Sequence, residues 1–261
     1  QHEFISEALT ATYDALGIAA QISFDELKEI LIGKHERIHL VHGFSNEYVP
    51  SIKNDTTLGP NVHEIGALAD DYLPSSFSGP PPDLVEFLKT CETADVKPVC
   101  IGFGSMPFET AAVVLDAVHE LGNKTVLVGD ALKIPDDYEH KGWMSDNVCQ
   151  VSSIPYSWLL PKCSMMLSHG GAGVLHACGR TGIPTLIAPL LGDQFFHAAL
   201  VEKRGTGVKC TAVLPTLTKE EIVNGVRKGE GCKEAAKRLG ERIVAAGSGV
   251  DKLVDVLTKS T

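Results

Sequence analysis

The chain has 261 residues, of which 44% are hydrophobic and 21% charged, an ordinary globular composition that excludes a disordered or fibrous protein. Its formal net charge of −10 argues against nucleic-acid binding, because an acidic surface repels a phosphate backbone. No apolar run reaches the roughly 18 residues of a membrane span. Seven cysteines without CxxC spacing read as reduced thiols of a cytoplasmic protein, not as a disulfide framework or a zinc site.

In chain order, ISFDELKEIL sets Ser23 three residues ahead of Glu26, the spacing of a helix start, and RIHLVHGF predicts a short strand. The opening QHEFISEALT lacks an initiator Met, so an excised or processed piece is expected. From Ser45 to Pro82 the chain reads as loop. The prolines of SSFSGPPPDLVEFLKT mark a linker just before an amphipathic helix. Residues 1–75 are therefore assigned to the end of one domain plus linker, and residues 76–261 to a second domain.

Beyond the linker the pattern becomes regular. VKPVCIGFGSM predicts a strand, FETAAVVLDAVHEL a helix, KTVLVG and NVCQVSSI strands, YSWLLPKC a short helix and SMMLSH a strand. Helix GAGVLHACGRTG, strand PTLIAPL, helix QFFHAALVEKRG and strand GVKCTA follow, then three helices from Thr218 onward. Apolar strands alternating with helices imply an α/β fold, a doubly wound parallel sheet covered on both faces.

Ligands of such sheets bind beyond the carboxyl ends of the strands, where SHGGAG and PLLGDQ fall. Gly170, Gly171 and Gly173 allow a sharp turn and a close backbone approach. The helix opening near Ala172 points free N–H groups outward, a cradle for phosphate that an acidic protein can still offer. His169 can donate to a phosphate oxygen. The plainer alternative is a pair of tight strand-to-helix turns. GFGS gives a third loop, with the Ser105 hydroxyl as a donor or simply a turn. Asp193 and Gln194 offer acceptors and an amide for sugar hydroxyls, or else cap the next helix. His42, His176 and His197 show no paired carboxylate or ligand spacing and read as satisfied helix or core histidines.

The ordered set IGFGSM, SSIPYSWLLPKCSMMLSHGGAG and GIPTLIAPLLGDQFFHA, preceded by PPPDLVEFL, resembles the C-terminal sugar-donor half of UDP-sugar glycosyltransferases with two Rossmann domains. Within that superfamily it is most similar to the sterol 3-β-glucosyltransferases, over about residues 40 to 260. The resemblance implies a Rossmann-like donor domain of the GT-B fold with a remnant of the N-terminal domain. It assigns diphosphate binding to His169, Gly170, Gly171, Ala172 and Gly173, with Ser105 near the terminal phosphate. Uracil falls to Ser153 and the backbone of Ile154, and glucose hydroxyls fall to Asp193 and Gln194. Plant relatives carry a tryptophan stacked on uracil where this chain has Ser153, and a ribose-binding glutamate where it has Ala177.

The activity implied is inverting transfer of glucose from UDP-glucose to the 3-hydroxyl of a sterol, without a metal or other cofactor, since no DxD motif is present. The family's acceptor base and lipid pocket lie in the N-terminal domain, so no catalytic residue is assigned in this chain and the isolated chain is expected to lack transfer. A sterol or other lipid acceptor is the expected partner through that domain, with peripheral membrane contact in the full-length enzyme. A UDP-N-acetylglucosamine transferase subunit with a split acceptor domain, and a non-catalytic nucleotide-sugar-binding module, are the alternatives.

Overall fold

The computed structural model describes residues 23–68, 73–104, 106, 111–130, 132, 134–135 and 137–259. They fall into two compact units, one from residues 1–68 with 248–261, the other from residues 69–247.

In the first unit, helix α1 (Phe24–Leu31) starts as its sequence predicts: the Ser23 hydroxyl accepts from the Glu26 N–H at 3.1 Å. Strand β1 (Leu40–His42) runs parallel to β2 (Val62–Glu64), with Leu40 opposite Val62. The β2 segment was expected to be loop, because three residues are too few to display a period. The last helix of the chain, α10 (Gly249–Lys259), also belongs to this unit.

The second unit holds a parallel sheet of six strands: β3 (Val99–Gly102), β4 (Thr125–Val128), β5 (Val148–Val151), β6 (Met165–Ser168), β7 (Thr185–Ile187) and β8 (Gly207–Lys209). Their spatial order is β5-β4-β3-β6-β7-β8. Successive residues bury on opposite faces. Val99, Ile101, Met165 and Leu167 join one core, which includes Val114 and Val118 of α3 (Ala111–Leu121) and Ile222 and Val226 of α8 (Lys219–Glu230). Cys100, Val126 and Met166 join the other, with Leu84 and Leu88 of α2 (Pro82–Thr93) and Val174 and Cys178 of α6 (Ala172–Thr181). Both faces being covered explains why β3 and β6 read as unbroken apolar runs, and it makes this the doubly wound α/β domain expected.

One helix of this unit was not anticipated. Helix α4 (Lys141–Asn147), KGWMSDN, buries only Met144 and has no apolar stripe, so it owes its place to that side chain and Trp143 packing on the first core. The short α5 (Tyr156–Leu159), α7 (Gln194–Arg204) and α9 (Lys233–Ala245) complete the layers.

The strand order fixes where a ligand can enter. From β3 the chain moves outward through β4 to β5, and from β6 it moves the opposite way through β7 to β8. Neighbours β3 and β6 therefore send their following loops apart and leave a crevice at their carboxyl ends.

Candidate functional site

The loops that follow β3 and β6 meet at this crevice. Gly104, after β3, has φ +61°, and a Cβ placed on it would lie 3.4 Å from Cε1 of His169, the residue after β6. Ser105 lies outside the described residues.

The turn after β6 is built without room for side chains. Gly170 has φ +86°, and a Cβ there would come within 2.6 Å of Ile187 Cγ2 on the neighbouring strand. A Cβ at Gly171 would stand 2.7 Å from His169 Nε2. The Gly170 N–H donates to the buried Ser168 hydroxyl at 3.2 Å. Helix α6 then opens with Gly171 at its N-cap and no capping side chain, so its first N–H groups are left for another acceptor. Gly173 has open space where a Cβ would be.

His169 is half-buried beside this turn. Its Nδ1 is buried with no hydrogen-bond partner among the described residues, and such an atom calls for one. Burial holds its imidazole below the ordinary pKa, against an upward pull from the Asp193 carboxylate. The ring is therefore neutral at pH 7 and has one nitrogen to donate with.

After β7 the chain passes Leu191 and Gly192 to Asp193 and Gln194 at the head of α7. Asp193 is exposed and occupies the N-cap position, yet its side chain makes no capping bond. Gln194 is buried, and its Oε1 accepts from the N–H groups of Leu190 at 2.8 Å and Leu191 at 3.1 Å. The pair thus divides: Asp193 faces solvent, while the Gln194 carbonyl shapes the loop. After β5, Ser153 is exposed and the Ile154 side chain is buried in the second core.

Sequence reading missed one member of the site. His197, one turn into α7, is buried; its Nδ1 lies 2.7 Å from the Gly170 carbonyl oxygen and its Nε2 4.0 Å from Asp193 Oδ2. It is satisfied, as expected, but by the glycine turn itself. His176, in α6, is also buried, and burial together with His197 pushes it down to about 4. Among the described residues no group of three or more His, Cys, Asp or Glu is arranged to hold a metal ion, and no helix is long and apolar enough to cross a membrane.

Read across the sheet, the loops lie in the order Ile154 (after β5), Gly104 (after β3), His169 (after β6), Asp193 (after β7). Three strand spacings, about 14 Å, separate the first from the third, and one more spacing of about 5 Å reaches the last.

A family model described as erythromycin biosynthesis protein CIII-like, C-terminal domain, matches residues 112–257. A sterol 3-beta-glucosyltransferase of Debaryomyces hansenii is 32% identical over 178 residues, 61% of this chain and 11% of the relative. Sterol 3-beta-glucosyltransferase UGT80A2 of Arabidopsis thaliana is 32% identical over 179 residues, 65% of this chain and 25% of the relative. The chain thus spans between about a tenth and a quarter of the length of these relatives. Among solved structures, UGT89C1 of Arabidopsis thaliana superposes with a TM-score of 0.65 at 18% identity, covering 98% of this chain and 70% of that one. LpCGTa in complex with UDP superposes with a TM-score of 0.62 at 19% identity, covering 85% and 54%. Both likenesses show the shared fold.

Proposed function

Since the chain belongs to the erythromycin biosynthesis protein CIII-like C-terminal domain family, we propose that it is the sugar-donor half of an inverting glycosyltransferase that moves glucose from UDP-glucose to the 3-hydroxyl of a sterol. The sterol and the glucose follow from the names of its curated relatives, and the nucleotide from a fold neighbour solved with UDP. The observation that carries the reading is the order of loops across the sheet. Ile154, His169 with the glycine turn, and Asp193 follow one another as base, diphosphate and sugar do along a nucleotide sugar.

In the transfer, the acceptor oxygen forms its bond to the anomeric carbon from one face while the bond to the β-phosphate oxygen of UDP breaks on the other. The acceptor proton passes to a base contributed by the acceptor-binding domain. UDP leaves with the bonding pair, so negative charge grows on its diphosphate. That charge meets the open N-terminus of α6, equivalent to about half a positive charge, and the neutral His169, which donates a hydrogen bond. Preorganised donors of this kind each contribute on the order of 3 kcal/mol to a transition state. No metal is required in this scheme, because backbone N–H groups supply the positive field inside an acidic protein. A cytoplasmic location, with peripheral membrane contact in the full-length enzyme, belongs to the same proposal.

Calorimetry tests it. The chain should bind UDP and UDP-glucose, and binding should be unchanged by a chelator. No UDP binding, or binding abolished by the chelator, overturns the reading. A preference for UDP-N-acetylglucosamine over UDP-glucose replaces the glucosyltransferase with an N-acetylglucosamine transferase.

A further inference from the structure

The Gly170 carbonyl is turned inward, onto a histidine 27 residues further along the chain. Its oxygen lies 2.7 Å from His197 Nδ1, and a carbonyl can only accept, so Nδ1 carries the hydrogen and donates it. His197 is itself fixed: it sits on the buried face of α7 beside Gln194, Ala198 and Val201. The bond therefore ties the turn to a packed helix, not to a mobile side chain.

A trans peptide is planar, and its C=O and N–H point in opposite directions. Holding the Gly170 carbonyl on His197 therefore aims the Gly171 N–H away from α7. On its other flank the Gly170 N–H is held by Ser168 Oγ at 3.2 Å. The peptide before Gly170 and the peptide after it are each pinned by one side chain. Glycine at φ +86° has wide conformational freedom, so without these two bonds the turn could adopt several orientations.

We infer that His197 is a positioning residue, which presets the Gly171 peptide for the diphosphate by donating from Nδ1 to the Gly170 carbonyl. The inference rests on the donor-site reading given above. It assigns the site a support from α7, the helix whose first turn also carries Asp193, 4.0 Å from the other nitrogen of the same ring. The imidazole thus bonds the glycine turn through Nδ1, while the Asp193 carboxylate lies near its other nitrogen, beyond hydrogen-bond distance.

Two variants separate positioning from bulk packing. His197→Leu keeps an apolar body and removes the donor. His197→Asn is smaller, but its amide nitrogen falls where Nδ1 stood and can still reach the carbonyl. UDP affinity measured by calorimetry should fall about tenfold in His197→Leu, a change of about 1.4 kcal/mol, and stay within about twofold of the parent in His197→Asn. The carbonyl carbon resonance of Gly170, read without any ligand, should move upfield in the Leu variant and hold its place in the Asn variant. Equal UDP affinity in parent and Leu variant, or a Gly170 resonance unmoved by the Leu substitution, overturns the inference. If the Leu variant does not fold, the Asn variant decides: a parent-like Gly170 resonance supports positioning, and a shifted one refutes it. A parent protein that binds no UDP sinks the donor-site reading and with it the diphosphate role, while the Gly170 resonance still tells separately whether His197 holds the turn.

Discussion

Replacing Gly170 by alanine adds one methyl group at a position that opposes it twice. The backbone has φ +86°, where an L-residue is strained by about 1 to 3 kcal/mol. The new Cβ would stand 2.6 Å from Ile187 Cγ2 and 3.4 Å from Ile187 Cδ1, and Ile187 is fully buried in β7. Overpacking of that kind costs about 1 to 3 kcal/mol more. The sum, about 2 to 6 kcal/mol, is a large part of the roughly 5 to 15 kcal/mol that holds a domain folded. Urea unfolding of Gly170→Ala should show a much lower midpoint with an unchanged slope. The two costs can be separated, since Ile187→Ala removes the atoms that clash but leaves φ as it is. In a double-mutant cycle the pair should couple favourably by about 1 to 3 kcal/mol, with the backbone strain remaining. A Gly170→Ala protein within about 0.5 kcal/mol of the parent, or a cycle with no coupling, would refute the account of this turn.

At Gly173 the opposite holds, because nothing lies within 4 Å of an added Cβ: Gly173→Ala should raise stability by a few tenths to about 1 kcal/mol in urea titrations while weakening UDP binding, since only the ligand's approach is obstructed. Asp193→Ala should leave stability within about 0.5 kcal/mol, because the exposed side chain makes no capping bond, and should weaken UDP-glucose more than UDP. Gln194→Ala should cost about 1 to 3 kcal/mol of stability by leaving the Leu190 and Leu191 N–H groups without their acceptor; a neutral result in thermal unfolding would contradict that assignment. His176, at about 4 in the folded protein against 6.5 in the unfolded chain, stays neutral where the unfolded chain takes up a proton. Its contribution to stability is intact above about pH 6.5 and is lost as pH falls towards about 4, roughly 2.5 kcal/mol by about pH 4.5. His169 is shifted the same way and adds to the loss. Urea midpoints of the parent and His176→Phe across this range should show a shallower decline in the variant.

Local order was legible because its causes are local. Ser23 and Thr218 each cap a helix by accepting from the N–H three residues on, and a serine or threonine with an acidic residue at that spacing can be read from a string of letters. The alternation that buries Val99 and Ile101 on one face and Cys100 on the other is likewise a property of the strand alone. So were the glycine turns, whose residues announce sharp bends wherever they are placed. Helix α4 and strand β2 escaped notice because they are short and lean on neighbours, with too few residues to show a period.

What tertiary structure alone decided is which loops face one another and how the side chains between them are used. Nothing in the strands says that β3 lies beside β6; crossover helices packing on a shared sheet decide that, and with it the meeting of Gly104 and His169. The Gln194 carbonyl turns back onto Leu190 and Leu191, and the Gly170 carbonyl finds His197, once α7 has docked at one angle against β7. A hydrogen bond forms only within a few tenths of an ångström of its ideal length, and periodicity along a chain carries no distance across 27 residues. The sequence determined the chemical groups and the bends. The packed sheet determined which of those groups came within reach of each other.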